Sequence, residues 1–543
     1  MAHTPLFSSI IRLALQFRQA RKLGISLDQI DGPQKSESQK ATSLTRRQFL
    51  AGSLAASAGL VLPQWSIGKP SSQPEIAIVG AGIAGLNCAL TLADQGLHTN
   101  LYEASRRIGG RIFSNARYWS EQQVSEWCGE LIDSNHDTIR QLATRFGLTL
   151  DDLAASQPSG TEETFFFNGK YYPRAEVVKD FQPVFDALQE DLKAAGESTT
   201  YESSTPAGRS LDNMSVWSWI EKRVPGGHGS KFGQLLDVAY TTEFGADTVE
   251  QSALDLLYTL SGSDRSFQVY GASDERYHIQ GGNQKLPEAM AAHLVAAGVR
   301  VQTGTRLAAL RETPDGRYRL SLEKGVSSTE VVADFVVLAL PFAVLRTLDC
   351  SGAGFDGLKQ KAIHNLGRGR SAKLQLQFTK RLWNEHGPWG CSTGTTFTSC
   401  GYQNTWEPTR SQRGDGGILN NFTGGTHVEQ LTTKKVFLQM PSSTLHEDAK
   451  SFLQAANSVF PGLPRLWNSK ATISIPHLWP LFNCSYSYWR VGQYQSIAGY
   501  ERIRQKNVLF AGEHTSVEFQ GYMEGAAKEG LRAAQKILEQ LGR

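Results

Sequence analysis

Three glycines near residue 80 have the spacing of a phosphate-binding turn. They occur in the run Gly80-Ala81-Gly82-Ile83-Ala84-Gly85, directly after a short apolar run from Glu75 to Val79 that is typical of a buried parallel strand. Gly80 would make the tight turn, and Gly82 would let the backbone approach a pyrophosphate. Gly85 would let the following helix pack closely on the strand. The pattern indicates chemistry on a ligand that carries phosphate.

The elements around these glycines are those of a dinucleotide-binding unit. A helix is predicted from Leu86 to about Gln95, and Ala84 lies in the turn before it, where unpaired N–H groups attract phosphate oxygens. A second strand, Thr99 to Tyr102, leads to Glu103, about 20 residues after the glycines, where an acid accepts hydrogen bonds from ribose hydroxyls. The three glycines alone would be a weak signal, but the whole order of elements predicts dinucleotide binding.

A second glycine-containing segment lies near the C-terminus. Val508 to Phe510 is typical of a buried strand, and Gly512 would let the backbone close on a ligand. Glu513 and His514 are not expected to act as an acid–base pair, because adjacent residues on one strand point to opposite faces. The run Gly521 to Ala526 follows and leads into a C-terminal helix.

These two segments, together with Gly109-Gly110-Arg111, resemble the flavin-containing amine oxidase superfamily, whose members bind FAD. The similarity covers roughly residues 75–541. It implies an α/β fold, in which a Rossmann-like FAD-binding domain of the GR2 type is interleaved with an α+β substrate domain. The FAD-binding domain would comprise residues 74–150, 275–341 and 481–543, and the substrate domain residues 151–274 and 342–480.

The substrate domain is predicted to be mainly helical in its first part and to contain strands in its second. The predicted elements are helices at Ser215–Arg223, Lys231–Tyr240 and Ser252–Leu260, and strands at Lys373–Phe378 and Lys435–Met440.

The resemblance also implies which residues contact the cofactor. Arg111 would reach the pyrophosphate, and Leu307 would meet the adenine from a strand predicted over Val299 to Leu310. The complete set of expected FAD contacts is Gly80, Gly82, Ala84, Gly85, Glu103, Gly110, Arg111, Gly129, Leu131, Leu307, Gly512, Glu513, Gly521 and Met523. Mammalian monoamine oxidases bond FAD through a cysteine at the position of Ser485, and Cys484 is one place away. We therefore expect bound, non-covalent FAD.

Three residues are expected to face the reacting C–H bond. The family places a lysine beside flavin N5, bridged through a water molecule, and Lys373 matches it. Two aromatic rings flank the approach to the flavin, and Tyr486 and Tyr522 match these. Two phenol faces would exclude water and orient an amine lone pair. The implied reaction is oxidation of an amine to an imine, then an aldehyde or keto product and ammonia, with O2 reduced to H2O2.

The sequence favours an amine substrate over an amino acid. Many L-amino acid oxidases of the superfamily bind the carboxylate with an arginine in a Gly-x-x-Arg segment, and Leu131 stands at the matching place. Tyr522 likewise replaces the tryptophan that such oxidases often have. An L-amino acid oxidase, producing a 2-oxo acid, ammonia and H2O2, is the alternative, with Arg490 as the first cation to test. An FAD-dependent desaturase and a non-enzymatic flavoprotein are further alternatives that produce no peroxide with an amine.

Three acids in the same regions, Glu130, Asp133 and Glu243, are the candidates for attracting a cationic substrate group. Acids in such positions are more often solvated surface residues, and that is the expectation here.

The chain has 543 residues, which is enough for two domains. Its formal net charge of +3 is too small to indicate a nucleic-acid partner. Its six cysteines are scattered without a C-x-x-C pair, so no metal site is expected. No apolar run has the length of a transmembrane helix.

Residues 1–73 are predicted to be a leader and linker. Arg46 and Arg47 precede a short, weakly apolar stretch from Leu50 to Leu62, which resembles a twin-arginine export signal. The expected partners are therefore the twin-arginine export machinery, a small amine or amino acid, and O2. The expected location is the periplasm or the medium, and the oligomeric state stays open between a monomer and a homodimer.

Overall fold

The computed structural model describes residues 73–196, 198–260 and 273–543. The predicted export signal lies outside these residues. Pro74–Arg543 belongs to one compact unit. The α-helices are Ile83–Asp94, Asp137–Arg145, Arg174–Ala195, Pro206–Asp212, Val216–Arg223, Lys231–Phe244, Ala253–Leu260, Lys285–Ala296, Phe342–Leu345, Gly357–Asn365, Ser443–Val459, Tyr494–Ile497 and Met523–Gln540.

A five-stranded parallel sheet forms the first layer. Its spatial order is Val508–Phe510, Phe335–Leu338, Ile76–Val79, Thr99–Glu103 and Arg300–Thr303. The three central strands are almost fully buried, as expected of a parallel sheet whose two faces are both covered. The strand nearest the N-terminus therefore pairs with one from the middle of the chain, which in turn pairs with one from the C-terminus.

The first and last helices of the unit pack tightly against each other beside this sheet. A Cβ added to Gly530 of Met523–Gln540 would lie only 2.1 Å from the carbonyl oxygen of Ala84 in Ile83–Asp94. Only glycine permits this approach, so the C-terminal helix is positioned against the helix that follows the glycine motif.

An eight-stranded mixed sheet forms the second layer. Its order is Phe437–Gln439, Trp467–Ser474, Ser371–Phe378, Gly417–Gly424, Asn404–Trp406, Ser392–Thr398, Glu162–Phe167 and Lys170–Tyr171. The strand Ser371–Phe378 is central and buried at every position. The helices predicted in residues 215–260 are confirmed, but Glu162–Phe167 and Lys170–Tyr171 add two strands to a region expected to be mainly helical.

A four-stranded sheet connects the layers through Ser327–Ala333, Tyr318–Lys324, Arg306–Glu312 and Asp349–Gly352. The prediction of one strand over Val299 to Leu310 is wrong. The chain turns at Gly304, which has a φ of +65°, so Arg300–Thr303 joins the parallel sheet and Arg306–Glu312 starts another.

The remaining paired strands are short: Ser114–Asn115 with Ser125–Glu126, Leu150–Asp152 with Tyr277–Ile279, and Gly367–Arg368 with Ser487–Tyr488. Within the described residues, none of the helices combines the length and the hydrophobicity that a bilayer crossing requires.

Candidate active site

A long cleft runs along the carboxyl edge of the parallel sheet, with about 1360 Å³ of empty space. Its lining includes most of the predicted cofactor contacts, namely Gly80, Gly82, Ala84, Glu103, Gly110, Arg111, Leu307, Gly512, Glu513, Gly521 and Met523. Tyr522, one of the two aromatic residues predicted to flank the approach to the flavin, also lines the cleft. These residues come from the two ends and the middle of the chain, so the fold brings the separate motifs together as the sequence predicts.

The glycine turn has the shape that a pyrophosphate requires. Gly80 has a φ of +104°, and a Cβ there would meet the Ala339 carbonyl oxygen at 2.5 Å. A Cβ on Gly82 would meet no protein atom closer than 3.9 Å, so the space in front of it belongs to the cleft. Gly82 is also the N-cap of Ile83–Asp94, whose first N–H groups are therefore available to phosphate oxygens.

Gly85 has a structural role instead of a contact role. It is absent from the lining of the cleft, and a Cβ there would lie 1.9 Å from the Gly80 carbonyl oxygen. Its function is the close packing of helix on strand, which is one of the tasks that the motif assigns to its third glycine.

Glu103 lies at the end of its strand, where an adenosine ribose is expected. Its Oε2 accepts a hydrogen bond from the Ala81 N–H at 2.9 Å, and its Oε1 accepts one from the Ser105 N–H at 2.8 Å. These two bonds hold the carboxylate against the glycine turn. Glu103 also lines the cleft, where the ribose is expected.

Glu513 connects the residues that line the cleft with the segments that carry Tyr486 and Tyr522, the two predicted aromatic walls of the substrate approach. Its carboxylate accepts hydrogen bonds from Ser487 Oγ at 2.8 Å and from the Gly521 N–H at 3.0 Å, and these residues adjoin Tyr486 and Tyr522. Burial opposes the charge of Glu513, but Arg111 at 3.0 Å holds the pKa of the carboxyl below its usual value. Glu513 therefore stays ionised and connects the two segments.

Arg111 makes contacts that the sequence does not indicate, and its reach to the pyrophosphate stays a prediction. It borders the cleft, but its Nη1 donates to Glu513 and to the Ser485 carbonyl oxygen at 2.8 Å. Its main contacts therefore hold in place the segment that carries Tyr486, the first predicted aromatic wall.

Glu513 and His514 also differ from the prediction, since they lie in a 3₁₀ turn, Glu513–Thr515, and not on a strand.

His514 is a cleft residue that the sequence did not reveal. Both of its ring nitrogens are buried and have no hydrogen-bond partner among the described residues. Burial lowers the pKa of His514 to about 3, so the ring is neutral. A buried imidazole that borders a cleft without a partner is the kind of group that a polar cofactor satisfies.

The thiol nearest the attachment position is unreactive. Burial raises the pKa of Cys484 to about 11, and the thiolate is the form that attacks. Ser485 is equally engaged, since its Oγ accepts a hydrogen bond from the Ser371 N–H at 2.7 Å.

Lys373 lies in the buried central strand of the eight-stranded sheet and is only 4% exposed. Its Nζ donates to Glu130 Oε2 at 2.7 Å and to the Cys128 carbonyl oxygen at 2.9 Å. The indole N–H of Trp406 donates to the other oxygen of Glu130 at 2.8 Å, and Asn420 donates to both oxygens. Burial opposes ionisation of Glu130, but the charge of Lys373 outweighs it and lowers the pKa of the carboxyl. Glu130 therefore stays ionised.

The expectation of solvated acids is wrong for Glu130, Asp133 and Glu243, which are 1%, 2% and 1% exposed. Glu130 is buried because it is paired with Lys373. Burial raises the pKa of Asp133 to about 7, and its neighbour His136 contacts the Tyr522 ring at 5.0 Å between centroids. The sequence contains no local signal for the pair of Glu130 and Lys373, which are 243 positions apart.

The two aromatic walls are buried in different surroundings. Tyr486 packs with Trp406 and Phe422 and donates its O–H to the Thr242 carbonyl oxygen at 2.8 Å. Tyr522 is the N-cap of the C-terminal helix. Lys373 and Tyr486 are absent from the lining of the cleft, so their placement opposite a bound cofactor stays a prediction.

Gly129 and Leu131 are not part of the cleft lining either. The Gly129 N–H donates to the Arg111 carbonyl oxygen at 2.9 Å, so Gly129 supports the residue that borders the cleft. Leu131 is 2% exposed and packs on Leu153. Leu131 thus presents an apolar side chain at the position that matches the carboxylate-binding arginine of many L-amino acid oxidases of the superfamily.

A parallel sheet with a glycine turn and a cleft built from both chain ends defines an FAD-dependent oxidoreductase. The comparisons identify the family. The model of the flavin-containing amine oxidoreductases matches residues 83–538, so the chain belongs to that family.

The relatives include oxidases of both amines and amino acids. An L-amino-acid oxidase of Mus musculus is 24% identical over 88% of this chain and 72% of its own length. Polyamine oxidase 1 of Zea mays is 22% identical over 90% of this chain and 92% of its own. Among solved structures, cyclohexylamine oxidase from Brevibacterium oxydans IH-35A superimposes with a TM-score of 0.72 at 20% identity, covering 87% of this chain and all of that one. These likenesses confirm the predicted fold, FAD as cofactor and flavin-dependent amine oxidation.

Proposed function

We propose that the enzyme oxidises an amine that lacks a neighbouring carboxylate, and that O2 takes up the electrons as H2O2. One observation carries the preference for an amine: Lys373, the buried cation at the predicted reactive face, is already paired with Glu130 at 2.7 Å. A substrate carboxylate approaching Lys373 would meet the negative charge of Glu130 as well. A peroxide-coupled screen of amines and L-amino acids tests the proposal.

The protein residues have separate tasks in this reaction. FAD, when bound, supplies the acceptor for the two electrons and the hydrogen of the C–H bond. Tyr486 and Tyr522 bound the approach and exclude water, and burial raises the pKa of Tyr486, so its phenol stays neutral. Glu130 holds Lys373 Nζ in place, where this donor can orient a water molecule by hydrogen bonding.

The alternative, an L-amino acid oxidase, is supported by the similarity to the L-amino acid oxidases of Mus musculus and Bothriechis schlegelii. It requires a cation that faces the substrate. Arg111, which borders the cleft, is paired with Glu513. Arg490 donates from Nε to the Tyr488 hydroxyl at 3.3 Å and does not line the cleft.

We expect the purified protein to be yellow and to release free FAD on acid precipitation. The reason is that Cys484 is a buried thiol with a raised pKa, and Ser485 stands at the attachment position. The measurement is flavin absorbance in the supernatant and in the redissolved pellet. Flavin that stays with the pellet would contradict non-covalent binding.

We also propose export by the twin-arginine route, with FAD bound before translocation. Changing both Arg46 and Arg47 to Lys should keep the folded protein in the cytoplasm, because this route reads the arginine pair. Fractionation of cells, with flavin measured in each fraction, gives the result. The matched control changes Arg18 and Arg21 of the same leader to Lys. Unchanged export of the Arg46/Arg47 variant would refute the signal.

A further inference from the structure

A second pocket, separate from the cofactor cleft, is lined by positive charge. It has about 900 Å³ of empty space, and its charged or titratable lining residues are Arg346, Lys361, His364, Arg368 and Arg490. It contains no Asp or Glu in its lining and shares no lining residue with the cleft. Arginines that converge on a concave surface are the usual receptors of oxyanions.

Within the described residues, Arg346, Lys361 and Arg368 have no acidic partner, whereas Arg490 experiences the negative charge of Glu250, which also contacts the Tyr488 hydroxyl. Among the described residues, none of Arg346, Lys361, Arg368 and Arg490 has a carboxylate within 4 Å. Arg346 donates from Nε and Nη2 to the carbonyl oxygens of Phe342 and Leu366, and its Nη1 makes no hydrogen bond to the described residues. Burial, and then the charges of Arg368 and Arg490, lower the pKa of Arg346. The positive charges of Arg368 and Arg490 therefore act on Arg346 across the pocket.

The hydrogen-bonding groups are held in place by neighbouring elements. Arg368 donates from Nη1 to Asn483 Oδ1 at 2.8 Å, and the Arg490 N–H donates to Gln493 Oε1 at 2.9 Å. The first bond holds the guanidinium of Arg368, and the second holds the backbone at Arg490, whose side-chain Nε donates to the Tyr488 hydroxyl at 3.3 Å. A site with at least four cations matches an anion of charge −2 better than a monocarboxylate.

We propose that this pocket binds a phosphate group, carried either by a soluble phosphate compound or by an anionic lipid headgroup. The pocket adjoins the paired segments Gly367–Arg368 and Ser487–Tyr488, the second of which follows Tyr486 directly. Phosphate bound there bridges the helix Gly357–Asn365 and the segment after Tyr488, and stabilises the folded state.

The test is thermal unfolding of the FAD-loaded enzyme at constant ionic strength in phosphate, acetate and chloride. We expect a saturable rise of Tm in phosphate only. The double variant Lys361→Gln/Arg368→Gln should bind phosphate about tenfold more weakly or worse, because two charge-assisted bonds are lost at exposed residues. Lys324→Gln/Lys450→Gln removes the same charge from exposed positions outside the pocket and should behave as the parent.

Three results would overturn the proposal: equal Tm values in the three salts, a phosphate shift that survives in the Lys361/Arg368 variant, or an equal shift in acetate. The source of the phosphate is decided by co-sedimentation with vesicles of phosphatidylglycerol and of phosphatidylcholine. If the parent protein sediments with the anionic vesicles and the Lys361/Arg368 variant does not, the ligand is a lipid headgroup. A phosphate-dependent Tm shift without capture identifies a soluble phosphate compound.

Discussion

A primary amine should be oxidised about a hundredfold more efficiently, in kcat/KM, than the amino acid with the same side chain. A carboxylate that enters the site must lose water without gaining a partner, which costs at least a few kcal/mol. Leu131 offers it an apolar side chain packed on Leu153, and Lys373 is paired with Glu130. The comparison uses phenethylamine with phenylalanine, tyramine with tyrosine, and cadaverine with lysine, in a peroxide-coupled assay.

The methyl ester of phenylalanine is the matched control, because it keeps the bulk of the carboxyl group and removes its charge. We expect the ester to recover much of the activity of phenethylamine. If each amino acid is a better substrate than its amine, the enzyme is an L-amino acid oxidase. The cation that binds the carboxylate would then have to be found, beginning with Arg490.

Replacing Lys373 with Met should slow turnover by one to three orders of magnitude, about 1.4–4 kcal/mol of barrier, and leave FAD bound. Nζ is the hydrogen-bond donor that can orient water at the predicted reactive face, whereas the cofactor contacts lie in the cleft, whose lining excludes Lys373. Stopped-flow measurement of reduction by substrate and of reoxidation by O2 shows which half-reaction slows.

Lys470→Met is the control for this substitution. Lys470 lies on the neighbouring strand Trp467–Ser474 of the same sheet, and its Nζ donates to the Tyr118 carbonyl oxygen at 2.7 Å. This variant should keep parental rates. Near-normal rates for both half-reactions of Lys373→Met would remove Lys373 from the active site.

The elements that form the cofactor-binding cleft could be predicted from sequence because their signals are local. The strand Ile76–Val79, the glycine turn and the helix Ile83–Asp94 are adjacent in the chain, and each has a recognisable composition. Strand Val508–Phe510 has the predicted bounds for the same reason. The break at Gly304 was missed, because a single glycine within an apolar alternation does not reveal that its φ is positive.

The environment of the predicted catalytic residues could not be derived in the same way. Glu130 and Lys373 each have ordinary neighbours in sequence, and their pairing exists only because the eight-stranded sheet lies over the segment after Ser125–Glu126. The location of Arg490 in a separate basic pocket likewise depends on where the helix Gly357–Asn365 packs. Long-range contacts of this kind leave no periodic trace in one sequence.

The link through Glu513 bears on how the enzyme can change its substrate during evolution. The carboxylate accepts hydrogen bonds from the Gly521 backbone and the Ser487 hydroxyl, which are the chain neighbours of Tyr522 and Tyr486. Exchange of the Tyr486 ring, which lies outside the cleft lining, therefore alters the predicted substrate approach without removing an anchor of FAD, whereas exchange of Tyr522 also alters the cleft. Selection for a new amine can act on Tyr486 while the cofactor contacts are kept.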